Sequence, residues 1–142
     1  AICSSIAGHY SNKNKFNLVI IGDGGFMMNV QELNYIKMKK LPIKIIVINN
    51  SSLGNTFADS LIKYKISHAN EKKTGYMAPN IRNISRGFDI KYYTINKDNQ
   101  TKKIFTEFKK NKSNAILDVI VSKFHRTAEL NSLNSEQKTI YL

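Results

Sequence analysis

The sequence predicts an α/β fold, a mostly parallel sheet flanked by helices. Three observations carry this. Four short apolar runs, Phe16–Ile21, Ile43–Ile48, Ile90–Ile95 and Ala115–Val121, are nearly unbroken, as in strands buried on both faces of a sheet. Segments with helical spacing alternate with them. The first two runs and the helical segment between them occupy about 33 residues, the size of a βαβ unit. A right-handed crossover in that unit makes its strands parallel.

Taken in order, Ala1–Tyr10 reads as the end of a closely packed helix, with small residues around Ile2 and Ile6 and a stop near Gly8. Ser11–Lys15 is a polar loop before the Phe16–Ile21 strand. Met27–Lys40 is predicted helical, with Met27, Val30, Leu33 and Ile36 as its apolar stripe and Lys37, Lys39 and Lys40 at its negative end. Leu41-Pro42 breaks it, and Ile43–Ile48 is the second strand. Asn49–Asn55 is a loop, Thr56–Lys65 a short helix, and Ser67–Pro79 a polar, irregular flap. Asn80–Phe88 is a helix with Ile81, Ile84 and Phe88 on one side and Gly87 at its end. After the Ile90–Ile95 strand, Thr101–Lys112 is an amphipathic helix burying Ile104, Phe105 and Phe108. Ala115–Val121 is interrupted only by Asp118, read as a hydrogen-bonded structural acid. Residues 1–121 form the domain, and 122–142 a loosely packed tail.

At 142 residues the chain is one domain with room for a core, and its 42% hydrophobic content is ordinary for a globular protein. No apolar run approaches the ~20 residues of a membrane span, and no signal peptide is visible at the start. A lone cysteine, Cys3, excludes an internal disulfide, fits a reducing cytoplasm and reads as a packing residue. The net charge of +12 comes from scattered lysines, with only Arg82, Arg86 and Arg126 as arginines. That is a solvated lysine-rich surface and not a base-reading one, so no nucleic-acid partner is expected.

Two strand ends carry the chemistry. Gly22-Asp23-Gly24-Gly25 follows the first strand, and Asn49-Asn50 closes the second. Ligands of open α/β sheets sit outside the carboxyl ends of the strands. A carboxylate, an amide oxygen and loop carbonyls are hard donors suited to Mg²⁺. Glycines at a helix start let backbone N–H groups approach an anion. Gly-Asp-Gly alone is a common turn and Asn-Asn alone a common loop start. Their conjunction at successive strand ends, with a helix start between, is what points to a cation and diphosphate site.

Gly22-Asp23-Gly24, then 24 residues, then Asn49-Asn50 resembles the thiamine diphosphate-binding motif. The stretch Gly22–Leu33 (Gly-Asp-Gly-Gly-Phe-Met-Met-Asn-Val-Gln-Glu-Leu), Leu41-Pro42-Ile43-Lys44 and Leu53-Gly54 resemble the acetolactate synthase branch, among the 2-oxoacid decarboxylases and carboligases. The similarity runs from about Ile6 to Val121. The resemblance implies the thiamine diphosphate-binding fold, trimmed at its N-terminal side. It implies that Asp23 and Asn50 ligate Mg²⁺ through their side chains and Ser52 through its carbonyl. It implies that Gly22, Gly24, Gly25, Leu53 and Gly54 bind the cofactor at its diphosphate end. Gly25 stands where many relatives have serine or alanine, and Asn55 where many acetolactate synthases have methionine. The family's activating glutamate belongs to a separate pyrimidine-binding domain or subunit, so no catalytic residue is expected in this chain and the chain alone is expected to be inactive. The implied partners are that domain, a 2-oxo acid substrate and further copies of the chain. A second reading is a non-catalytic fragment or scaffold module that retains the fold.

Among other candidates, Glu32 reads as a cap or packing residue. His9, His68 and His125 lack ligand spacing. His9 and His125 read as ordinary surface or core residues, and His68 as a lesser candidate for the substrate side. Tyr76 reads as a loop anchor.

Overall fold

The computed structural model describes residues 1–54, 56–57, 60, 64–66 and 68–122. The chain divides into two compact units, one comprising Ala1–Asn49 and Pro79–Ile120, the other containing Asn50–Ala78. The predicted tail, with His125, and part of the Thr56–Lys65 helix fall outside the described residues.

The first unit is a four-stranded, all-parallel sheet in the order β1-β2-β4-β3: β1 is Leu18–Gly22, β2 Lys44–Asn49, β3 Lys91–Ile95 and β4 Ala115–Ile120. Its helices are α1 (Ile2–Ser11), α2 (Asp23–Met27), α3 (Glu32–Met38), α4 (Ile81–Gly87) and α5 (Thr101–Lys110). Alternate strand residues feed two cores. On one face Val19, Ile45, Val47 and Ile116 pack with Ile2, Phe26, Leu33, Ile36 and Ile81. On the other, Ile46, Ile95, Ala115 and Leu117 pack with Phe108 of α5. The predicted sheet class and its parallel direction are therefore observed.

The details differ where local pattern was ambiguous. Gly8 lies inside α1, which runs on to Ser11. The single helix expected over Met27–Lys40 is two. The chain turns into α2 directly at Asp23, then tightens through Met28–Gln31 with bonds such as Glu32 N–H to the Asn29 carbonyl (3.1 Å) and Leu33 N–H to the Val30 carbonyl (3.1 Å). Asn29, within this turn, has weak α-helix propensity, which favours the tighter geometry. The phase consequently shifts: Phe26 is fully buried and Met27 exposed. After α3, Lys40 adopts a left-handed φ of 52° and Leu41 N–H bonds the Ile36 carbonyl (3.0 Å), closing the helix before Pro42.

β1 is not buried on both faces. It is the sheet edge, and Leu18 (42%) and Ile20 (61%) are exposed. Among the described residues the helix on that face is α5, whose Phe108 packs on residues of β2, β3 and β4. Phe16 lies outside the strand and is exposed. On α5 only Phe108 is fully buried, with Phe105 exposed. Helical spacing of three puts the two rings about 60° apart around the axis, so one falls at the margin. Lys44 is buried in β2; its ammonium donates to the Ser113 carbonyl and lies 5.6 Å from the Phe108 ring centroid, and burial lowers its pKa.

In the second unit Phe57 is buried, and the described loop residues are tied by backbone pairing. Ser52 forms an antiparallel bridge with Glu71. Lys72–Thr74 is a 3-10 turn with a Glu71–Thr74 capping box, and it ends at Gly75, whose φ is 107°. Within the stretch read as an irregular flap, Lys72–Thr74 is thus a 3-10 turn, while Tyr76–Pro79 carries no regular secondary structure. Tyr76 is anchored there, its N–H on the Glu71 carbonyl (2.9 Å). Gly54, Thr56, Phe57, Ser60 and Tyr64 are helical, in keeping with the short helix expected there.

Candidate functional site

β1 and β2 run in the same direction with Gly22 in register with Ile48, so both strands end at one edge of the sheet. Asp23 follows directly on Gly22 and opens α2, with only 2% of its surface exposed. Its Oδ1 accepts the Gly24 N–H at 3.0 Å. Behind it, a Cβ on Gly25 would stand 3.2 Å from Ile21 Cγ1, so the helix start lies close against the strand. A Cβ on Gly22 would meet nothing within 4 Å. Phe26, fully buried, pins this turn to the core.

The other predicted residues lie in the second unit. Asn50 Oδ1 accepts the Ser52 N–H at 3.1 Å, a tight turn that places Ser51 at a left-handed φ of 54°. Ser52 is 2% exposed, and its hydroxyl donates to the Asn70 carbonyl at 2.9 Å. Leu53 N–H donates to the same carbonyl, also at 2.9 Å. Gly54 packs against Asn50 so closely that an added Cβ would stand 2.9 Å from Nδ2. Gly22, Asp23, Gly24 and Gly25 therefore share one turn, and Asn50, Ser52, Leu53 and Gly54 share one loop.

Sequence reasoning missed two supports. Asn70, fully buried, anchors the loop from 18 residues away, and nothing in its polar neighbourhood marks it. Asn49, read only as half of a doublet, donates Nδ2–H to Asp118 Oδ1 at 3.1 Å, and Tyr92 Oη–H donates to Asp118 Oδ2 at 3.0 Å. Asp118 is indeed a hydrogen-bonded buried acid. Burial pushes its carboxyl pKa up, while the bonds from Asn49 and Tyr92 and the nearby Arg82 charge pull it down. Burial likewise raises the Tyr92 hydroxyl pKa.

The remaining candidates stand apart from these groups. His9 is buried in α1 edge-on to Tyr10, with ring centroids 5.5 Å apart, and His68 is exposed. Glu32 opens α3, where an acid suits the helix start. Cys3 is exposed and so is not the packing residue expected. Among the described residues no three His, Cys, Asp or Glu side chains form a metal-binding group. A cavity of about 1160 Å³ opens at the opposite edge, where β3 and β4 begin. Its lining mixes Lys37, Arg86, Lys91 and Lys110 with Asp89 and Glu107.

Residues 1–119 match the family model described as "Thiamine pyrophosphate enzyme, C-terminal TPP binding domain", and the chain belongs to this family. Its relatives include acetolactate synthases. "Acetolactate synthase 1, chloroplastic" of Zea mays is 33% identical over 107 residues, 72% of this chain and 17% of that protein. The acetolactate synthase large subunit of Porphyra purpurea is 33% identical over 93 residues, 66% of this chain and 16% of that one. Over a shorter stretch of 51 residues, 36% of this chain and 9% of the relative, identity to the isozyme 2 large subunit of Escherichia coli is 43%. The chain thus spans about a sixth of the length of the first two of these relatives. A solved structure, the thiamine diphosphate-dependent 4-hydroxybenzoylformate decarboxylase of Rhodococcus jostii RHA1, superposes with a TM-score of 0.73 at 16% identity. The match covers 84% of this chain and 22% of that one and shows the shared fold. Among the described residues no helix is long and apolar enough to cross a membrane.

Proposed function

We propose that residues 1–121 hold the diphosphate end of thiamine diphosphate, with its Mg²⁺, inside an acetolactate synthase-like 2-oxoacid decarboxylase or carboligase. The observation that carries this reading is the buried carboxylate of Asp23 directly after β1, at the edge where β2 also ends in Asn49-Asn50. Burying a carboxylate is costly unless hydrogen bonds or a cation compensate it. The donor set fits Mg²⁺: Asp23 and Asn50 through side-chain oxygens and Ser52 through its carbonyl, all hard oxygens with one charge. Gly22 leaves the backbone at this turn open, with nothing within 4 Å of an added Cβ, and Gly22, Gly24 and Gly25, with Leu53 and Gly54, would hold the diphosphate end. α2 is only five residues long, so glycine N–H groups contribute more to holding an anion than any helix dipole.

When bound, thiamine diphosphate supplies the carbon nucleophile and electron sink for 2-oxo acid chemistry. This chain's residues anchor and orient it. The activating glutamate comes from a pyrimidine-binding domain or partner subunit, so the chain alone is inactive. The enzyme acts as a homo-oligomer in the cytoplasm. The test is calorimetric titration of thiamine diphosphate with and without Mg²⁺ into the full-length protein carrying this chain. Asp23→Ala and Asn50→Ala should each weaken Mg²⁺-dependent affinity by at least about tenfold, the lower end of what losing even an outer-shell partner costs. Affinity equal to wild type in both variants sinks the assignment.

A further inference from the structure

We propose that Asp118 and Asn49 are positioning residues for the cation-binding loop that starts at Asn50; this rests on the reading of Asn50 as a ligand. β4 is apolar from Ala115 to Ile120 except for Asp118, which is 5% exposed. A buried ionic group is weak evidence for stability, since a well-packed apolar side chain often does as well or better. An acid in the central part of this sheet therefore has another use, and its contacts show where.

Both carboxylate oxygens are engaged. Oδ1 accepts from Asn49 Nδ2 at 3.1 Å and Oδ2 from Tyr92 Oη at 3.0 Å. The Arg82 guanidinium lies 5.3 Å from the Tyr92 ring centroid. The network ties together β2, β4 and β3 at the level of Val47, Asp118 and Thr94, which are in register. Asn49 is the last residue of β2, 8% exposed, and Asn50 is covalently next. Holding the Asn49 side chain against the sheet face fixes the torsions of the residue from which the loop departs. The doublet then has two roles. Asn49 is clamped by Asp118, and Asn50, read as a ligand, follows the clamped residue directly in the chain.

The test uses the full-length protein, with Mn²⁺ as an electron paramagnetic resonance probe titrated in the presence of thiamine diphosphate and melting temperature measured in parallel. Asp118→Leu removes both acceptors but packs as an apolar strand residue. Mn²⁺ affinity should fall about tenfold, in the range set by outer-shell partners, together with some loss of melting temperature, because the Asn49 and Tyr92 donors are left unpaired. Asn49→Ala should give the same loss and serves in its place if Asp118→Leu does not fold. Asp118→Asn can present its oxygen to Asn49 and its N–H to the Tyr92 hydroxyl, and should restore affinity to within about twofold of wild type, a change under 0.5 kcal/mol. If Asp118→Leu and Asn49→Ala bind Mn²⁺ like wild type while Asp23→Ala does not, the positioning role is overturned and the cation site stands. If Asp23→Ala also binds normally, the underlying site assignment falls instead.

Discussion

Gly54→Ala separates metal binding from folding. The added Cβ would come within 2.9 Å of Asn50 Nδ2. Nothing rigid stands in its way, because that atom ends a rotatable side chain. The Asn50 amide moves instead, and a turn of about 30° off its rotamer costs about 0.5–1.5 kcal/mol. Gly54 is helical, where alanine is favoured over glycine by about 0.8–1.0 kcal/mol. The two effects nearly cancel in the folded protein without metal, so stability should stay within about 1 kcal/mol of wild type. They do not cancel at the proposed cation site, where Asn50 as a ligand would need its oxygen in the original place. Returning it there costs about 1 kcal/mol, or about a fivefold loss of Mg²⁺-dependent affinity for thiamine diphosphate. The assay is calorimetric titration of the full-length protein, with thermal melts of the same samples. Gly87→Ala is the control, since a Cβ there meets nothing within 4 Å. Wild-type affinity in Gly54→Ala at an unchanged melting temperature would refute the reasoning: either the amide tolerates the methyl or Asn50 holds no metal.

The two rings of α5 should behave oppositely. Phe108→Ala, in a fully buried site, should cost about 3–5 kcal/mol by denaturant unfolding, and Phe105→Ala, at 43% exposure, under about 1 kcal/mol. Equal costs would show that the packing of this helix is wrongly assigned. Burial raises the Asp118 pKa, so the folded state holds that proton more tightly than the unfolded one. The resulting stability is present below the ordinary aspartate value and lost as pH rises through the folded one. Stability of the wild type relative to Asp118→Asn should therefore fall as pH rises above the ordinary aspartate value, about 3.9; a flat difference above that pH contradicts the shift. Lys44 has the reverse sign of proton linkage. Its pKa is lowered by burial, so the unfolded state binds the extra proton, and stability should climb as pH rises toward the ordinary lysine value, about 10.4. Lys44→Met should flatten that climb, which urea melts at several alkaline pH values would reveal.

What could be read from the sequence follows from how local each determinant is. β2 and β4 are covered on both faces, so their apolar runs announce them. β1 has the same composition and a different environment. An edge strand with exposed Leu18 and Ile20 looks, residue by residue, like a central one, because position in the sheet is set by topology. The shift from Met27 to Phe26 as the buried residue of α2 has the same origin. Adjacent apolar residues support either helical phase, and the turn through Met28–Gln31 decides between them. The Gly22-Asp23-Gly24-Gly25 turn was legible because strand, acid and glycines are contiguous. Asn70 was not, since its contact with Ser52 spans 18 residues of polar chain. The Asn49-Asn50 doublet shows the limit most sharply. Its two residues are chemically identical, and no property of the sequence assigns them different work. The alternation of a strand does: the Asn49 side chain lies on the face that carries Asp118, in a contact spanning 69 residues, while Asn50 begins the loop. The different roles proposed for the two residues are thus invisible in the doublet itself and rest on a contact with a neighbouring strand.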